Sequence, residues 1–146
     1  MRLLDIGEVA EQAGLPPSTL RYYEELGLIE AVGRRGLRRQ FGPETLLQLA
    51  FIALGRTAGF SLGEIAGMFG GDGRPAPDRA ELHARADALE QQIKRMKALR
   101  DALRHTAECP APSHLECPTF QRLMKAATKR NALDRRRHKR RAAKTA

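Results

Sequence analysis

The chain contains no tryptophan and only two tyrosines and five phenylalanines among 146 residues. A large core built around aromatic rings is therefore excluded. The 42% hydrophobic content still suffices for a compact helical head and an oligomer seam. No apolar run approaches the roughly 18 residues of a membrane span, so no membrane partner is expected. Met1-Arg2-Leu3-Leu4-Asp5 leads straight into patterned helix rather than into a secretion signal. Two cysteines are too few for a disulfide framework, and without a signal they point to the reducing cytoplasm. There is no phosphate-cradling glycine loop and no nucleophile–base pair, so enzyme chemistry is not expected.

Charge is abundant but uneven. Residues 1–124 hold 16 Lys/Arg and 16 Asp/Glu and are neutral overall. Residues 125–146 hold ten Lys/Arg and one acid, Asp134, and so carry the whole net charge of +9. The pI near 10.4 thus describes a tail, not a basic body. Any nucleic-acid binding by the body must come from local segregation of charge. The tail itself reads as a disordered, solubilising end with non-specific phosphate contact as a by-product.

Helical periodicity dominates what remains. Asp5-Ile6-Gly7-Glu8 has the form of a capping box and opens a short helix through Gln12. Ala13-Gly14-Leu15 makes a turn, and Pro16 and Pro17 suit the first turn of a second helix ending near Leu26. Two short helices across a Gly-bearing turn read as a helix-turn-helix. The second helix presents Ser18, Thr19, Arg21 and Tyr22, as a recognition helix presents side chains to a major groove. Gly33-Arg34-Arg35-Gly36-Leu37-Arg38-Arg39 then reads as a hairpin wing, with arginines placed for flanking phosphate contact.

A helix after Gly42-Pro43 and a second capping box, Ser61-Leu62-Gly63-Glu64, give two short linking helices, the second reaching about Phe69. Gly70 to Pro77 is the clearest linker. From there Leu82, Leu89, Met96 and Leu103 recur every seven residues, with Ala86, Ile93, Arg100 and Ala107 in the alternate seam. So narrow a stripe points to pairing with a second chain, parallel or antiparallel. Met68, Met96 and Met124 read as core or seam residues. Glu8, Glu64 and Glu81 read as caps or solvated charges.

Cys109-Pro110 and Cys117-Pro118 then bracket a loop just past the long helix. Two thiolates at the ends of a short loop suit a two-coordinate soft ion such as Cu(I), Ag(I), Au(I) or Hg(II). Zn(II) wants four ligands, for which only His105, His114 and His83 of the partner subunit are at hand. An inert loop and a redox-responsive dithiol are the other readings.

Asp5-Ile6-Gly7-Glu8-Val9-Ala10, the string Thr19-Leu20-Arg21-Tyr22-Tyr23-Glu24-Glu25-Leu26-Gly27-Leu28-Ile29, and Arg39-Gln40-Phe41 resemble the MerR family of bacterial transcription regulators. The likeness covers roughly residues 3–120, and the cysteine loop is similar to that of the family's copper-responsive branch. It implies that Arg21 and Tyr23 hold DNA, that Ser18 and Thr19 face bases or phosphates, and that Arg39 is the wing arginine. Where the family has a tyrosine shortly before that arginine, this chain has Leu37-Arg38, so a charge replaces a phenol at the phosphate. Family metal sensors also carry Ser or Cys near the start of the dimer helix, where this chain has Pro75, Ala76 and Pro77.

The expected fold is mainly α: a winged helix-turn-helix head with linking helices over 1–70 and a linker over 71–78. An antiparallel coiled-coil dimerisation helix over 79–108, an effector loop over 109–120 and a basic disordered tail over 121–146 follow. The expected DNA-binding residues are Ser18, Thr19, Arg21, Tyr22, Tyr23, Arg35, Arg38 and Arg39, and the expected metal ligands are Cys109 and Cys117. The expected partners are promoter DNA, RNA polymerase and a second copy of the chain. The function implied is promoter distortion in response to a thiophilic ion. The alternative is an effector-independent or redox-responsive DNA-binding dimer.

Overall fold

The computed structural model describes residues 2–145. The element order is β1 (Leu4–Asp5), α1 (Ile6–Ala13), α2 (Pro17–Glu25), β2 (Gly33–Arg35), β3 (Arg38–Phe41), α3 (Glu44–Thr57), α4 (Leu62–Ala66), α5 (Arg79–Ala107) and α6 (Pro118–Thr145). A 3-10 turn at His114–Glu116 separates the last two. The chain divides into two compact units, 1–87 and 88–146, with the boundary inside α5.

Both expected capping boxes form. Asp5 accepts from the Glu8 amide at 3.0 Å while Glu8 accepts from the Asp5 amide at 2.9 Å, so two otherwise orphaned donors are satisfied. That amide bond is the main reason the Asp5 carboxyl is held below its ordinary pKa, with Arg38 adding to the effect. Ser61 and Glu64 repeat the arrangement at the start of α4. Gly14 closes α1 in the left-handed conformation at φ 66°, where a Cβ would be strained.

The three strands form an antiparallel sheet in the order β1-β3-β2. Gly36 and Leu37 are the whole hairpin loop, closed by the pair Arg35 and Arg38. Gly36 has φ 65° and Leu37 does not go positive, the pattern of a type II′ turn, which matches the twist of the strands. β3 serves two masters: it carries the wing outward and pairs Phe41 with Leu4 of β1. Phe41, Leu20, Val9, Ile52 and Ile65 are fully buried and draw sheet, recognition helix and linking helices into one core.

Three features depart from the expected outline. α4 ends at Ala66 rather than near Phe69, because Phe69 instead bridges to Pro75 and packs edge-on against Phe51 at 5.4 Å. The expected linker is an anchored loop: Ala76 donates to Met68, and the Gln48 side chain donates to the Gly73 carbonyl at 2.9 Å. The third is the tail, expected to be disordered, which is helical from Pro118 to Thr145. After Pro118 the sequence has no glycine or proline, and Ala, Lys, Arg, Leu and Met are strong helix formers. Charge composition argued for disorder, but local propensity prevails.

Candidate functional site

The recognition helix is set by what it buries. Pro16 and Pro17 start α2 where no N–H is needed, and Leu20 pins it with a fully buried side chain. Leu20 and its neighbours one turn away define the inner face. Ser18, Arg21 and Tyr22 are then left exposed, while Thr19 is half-buried. Tyr23 is also half-buried and packs on the core, lining a groove with Leu46 and Leu49. Tyr23, expected at the DNA, thus also has a structural role in the core.

The wing divides its arginines. Arg34, Arg35 and Arg38 are exposed, and the tip residue Leu37 is 94% exposed. Arg38 approaches Asp5 at 3.4 Å, a loose pair at the surface. Arg39 behaves differently. Its Nε lies 2.6 Å from Glu24 Oε2 of α2, and both side chains are largely withdrawn from solvent. The angle is not that of a hydrogen bond, so the attraction is ionic. Arg39, one of the arginines expected at the DNA, ties the wing to the recognition helix in this structure.

The thiol loop is built from the end of α5. Thr106 is buried, and the Cys109 amide donates to its carbonyl at 3.2 Å. After the 3-10 turn, Cys117 sits in extended conformation immediately before α6 and is fully buried, whereas Cys109 is half-buried. Its carbonyl accepts from the Gln121 amide at 3.0 Å, and the Gln121 side chain holds the Leu115 carbonyl at 2.7 Å. The Cys117 thiol is pushed below its ordinary pKa, first by the Phe120 amide donating to sulfur and then by Cys109, Thr119 and Thr106. The free amides of a helix N-terminus favour a thiolate there. The Cys109 side chain is a neighbour of that sulfur.

Sequence comparison decides the family. The chain is 32% identical over 126 residues to an HTH-type transcriptional regulator of Pseudomonas aeruginosa, covering 82% of this chain and 96% of that one. Residues 4–71 match the profile of the MerR HTH family regulatory proteins, and residues 46–106 match the MerR DNA-binding profile. The chain belongs to the MerR family. Another member, the mercuric resistance operon regulatory protein of Bacillus cereus, is 31% identical over 128 residues, with 82% and 96% covered. A MerR-type transcription regulator of Ralstonia metallidurans, crystallised with lead(II), superposes with TM-score 0.54 at 29% identity, covering 84% of this chain and 98% of that one. This MerR-family chain is therefore a DNA-binding transcription regulator and not an enzyme.

Against this MerR frame, the structure groups Arg21, Tyr22, Ser18 and the wing arginines in the head, and Cys109 with Cys117 in the second unit. The sequence reading missed Thr106. Its hydroxyl faces both the Ala102 carbonyl, 2.9 Å away, and the Cys117 sulfur, and its single proton serves one at a time. The available signal was its position one helical turn before Cys109. His114 turns to the Phe120 ring at 6.1 Å. Among the described residues no three His, Cys, Asp or Glu side chains converge as a metal site, and no helix is long and apolar enough to cross a membrane.

One pH dependence follows. In Cys109→Ser the remaining Cys117 thiolate is expected to form at lower pH than an ordinary cysteine, because the Phe120 amide still donates to it. The folded chain holds this proton less tightly than the unfolded chain. The thiolate's stabilisation is therefore complete above the ordinary thiol range and is lost as pH falls through the folded value. Ultraviolet thiolate absorbance against pH measures it; titration at or above the ordinary range would contradict the assigned contacts.

Proposed function

We propose that this regulator works as a cytoplasmic homodimer that distorts promoter DNA when a thiophilic metal ion, Cu(I) or a similar monovalent ion, binds the 109–117 loop. The observation that carries the reading is the pairing of a buried, thiolate-favouring Cys117 with the Cys109 thiol beside it. Two soft donors suit a two-coordinate ion, whereas a four-coordinate Zn(II) site would need two further ligands. Pro75, Ala76 and Pro77 offer neither the hydroxyl nor the thiol that the metal-sensing branch carries. The two loop sulfurs would then be the whole protein donor set. The mercuric and lead-bound relatives lend support to a thiophilic ion, though both their ions are divalent, so the monovalent choice rests on the two-thiol donor set alone.

Dimer formation is supported by α5. Leu82, Ile93, Met96 and Leu103 follow the heptad and are exposed in the single chain. Arg100, the one charge in the seam, turns aside to Asp101 at 3.1 Å. Pairing the stripe with a second antiparallel α5 removes it from water. The exposed faces of α2 and the wing would contact the promoter, with RNA polymerase as the further partner. An ion that binds one dimer state more tightly than the other shifts the equilibrium between them. The DNA pays for the distortion with deformation energy drawn from that difference.

An anaerobic competition titration with Cu(I), Ag(I), Hg(II) and Zn(II) tests the ion. Tight binding of a monovalent ion, lost in Cys109→Ser/Cys117→Ser, is expected. Absence of any thiol-dependent ion would remove the metal. The neighbouring thiols would then favour the redox-responsive reading, in which an external two-electron oxidant such as a peroxide joins them as a disulfide, their two protons leaving with the reduced oxidant.

A further inference from the structure

α6 is the largest feature that the regulator reading leaves unused. It runs from Pro118 to Thr145, about 42 Å at the ordinary helical rise. From Lys125 to Lys144 every residue is exposed. At 100° per residue, Arg122, Lys125, Lys129, Arg136 and Arg140 fall in a sector about 60° wide. They form one row of five cations about 27 Å long. The opposite sector holds Phe120, Ala127, Asn131, the lone acid Asp134 and His138. The His138 ring is turned back to the Asp134 carbonyl at 3.2 Å. The other six cations of α6, Arg130, Arg135, Arg137, Lys139, Arg141 and Lys144, flank this row, and only the opposite sector of about 120° is without positive charge.

We infer that this face of α6 is a second DNA-contact surface, one that binds the phosphate backbone of duplex DNA without reading its sequence. The inference rests on the DNA-binding reading of the head. Two observations select the partner. Residues 1–117 hold 15 Lys/Arg and 16 Asp/Glu, a net charge of −1, so α6 supplies all of the net attraction that the protein can offer a polyanion. From Lys125 onward the only apolar side chain larger than alanine is Leu133, so the helix has no face to bury in a lipid surface. A duplex carries one phosphate per about 1.7 Å of axis, so a row of this length meets a continuous set of partners. Arginine and lysine contacts of this kind set affinity and salt dependence, while base contacts elsewhere set sequence preference.

The test compares the full wild-type chain with Lys125→Gln/Lys129→Gln/Arg136→Gln/Arg140→Gln. Glutamine removes charge but keeps helix propensity, and circular dichroism checks that α6 persists. Binding to a mixed-sequence duplex of about 40 base pairs is followed between about 50 and 200 mM salt. The slope of log affinity against log salt is expected to fall by about 3 to 4 per protomer in the variant, with affinity lowered at least about 100-fold at the low-salt end. Preference for a duplex selected from a random pool is expected to survive. A slope changed by less than about one would overturn the inference. So would loss of sequence preference in the glutamine variant, or wild-type binding to phosphatidylserine vesicles at lower phosphate concentration than to duplex. Failure of the head reading looks different: Arg21→Ala would then keep the sequence preference, whatever the salt slope does.

Discussion

Phe41→Ala is expected to destabilise the head by about 3–5 kcal/mol, a large part of the total stability of a small domain. Phe41 is fully buried, ends β3 and pairs with Leu4 of β1. It is the point at which the wing hairpin enters the core formed with Leu20, Val9 and Ile52. Truncation leaves a cavity bounded by sheet and helix, which cannot close without moving one of them. DNA affinity should therefore fall together with the urea midpoint. Leu37→Ala, at the exposed tip of the same hairpin, should change stability by no more than about 0.5 kcal/mol. A Phe41→Ala midpoint close to that of the wild type would mean that the wing does not depend on this anchor.

Cys117→Ser is expected to lower monovalent-ion affinity by more than about 100-fold, the upper end of what loss of a supporting outer-shell group costs. The fold should survive, because serine is among the best residues at a helix N-terminus and its oxygen accepts the Phe120 and Thr119 amides as sulfur does. Cys109→Ser should also weaken the ion. It removes the more accessible thiol and leaves the stabilised thiolate in place, so the two single variants separate access from thiolate stabilisation. Competition titrations against a Cu(I) chelator, with helix content followed in parallel, check both. Wild-type affinity in Cys117→Ser would dismiss the buried sulfur as a ligand.

Legibility in the sequence tracked the range of the interaction. Capping boxes, the Pro16-Pro17 start of α2 and the Gly36 turn depend on neighbours within a few residues, and each formed where its signature lay. The pairing of Arg39 with Glu24 joins two elements that local pattern reads separately. Arg39 therefore looked like a free wing cation. Thr106 was overlooked for the same reason, since its value depends on Cys117 returning to it after the loop. The tail failed for a different cause: its charge density resembled that of disordered ends, yet no residue after Pro118 interrupts a helix. The half-burial of Tyr23 needed the groove beside α3, which no motif reveals.

Under the proposed function the cysteine loop controls DNA shape. The most direct test of this is energy transfer between dyes at the two ends of an operator duplex selected from a random pool. The protein is bound to it, and Cu(I) is supplied anaerobically from a chelator buffer. The ion is expected to change the end-to-end distance while DNA affinity changes little, and Cys109→Ser/Cys117→Ser is expected to abolish the response. A distance unaltered by the ion, with the ion demonstrably bound, would contradict the proposed function.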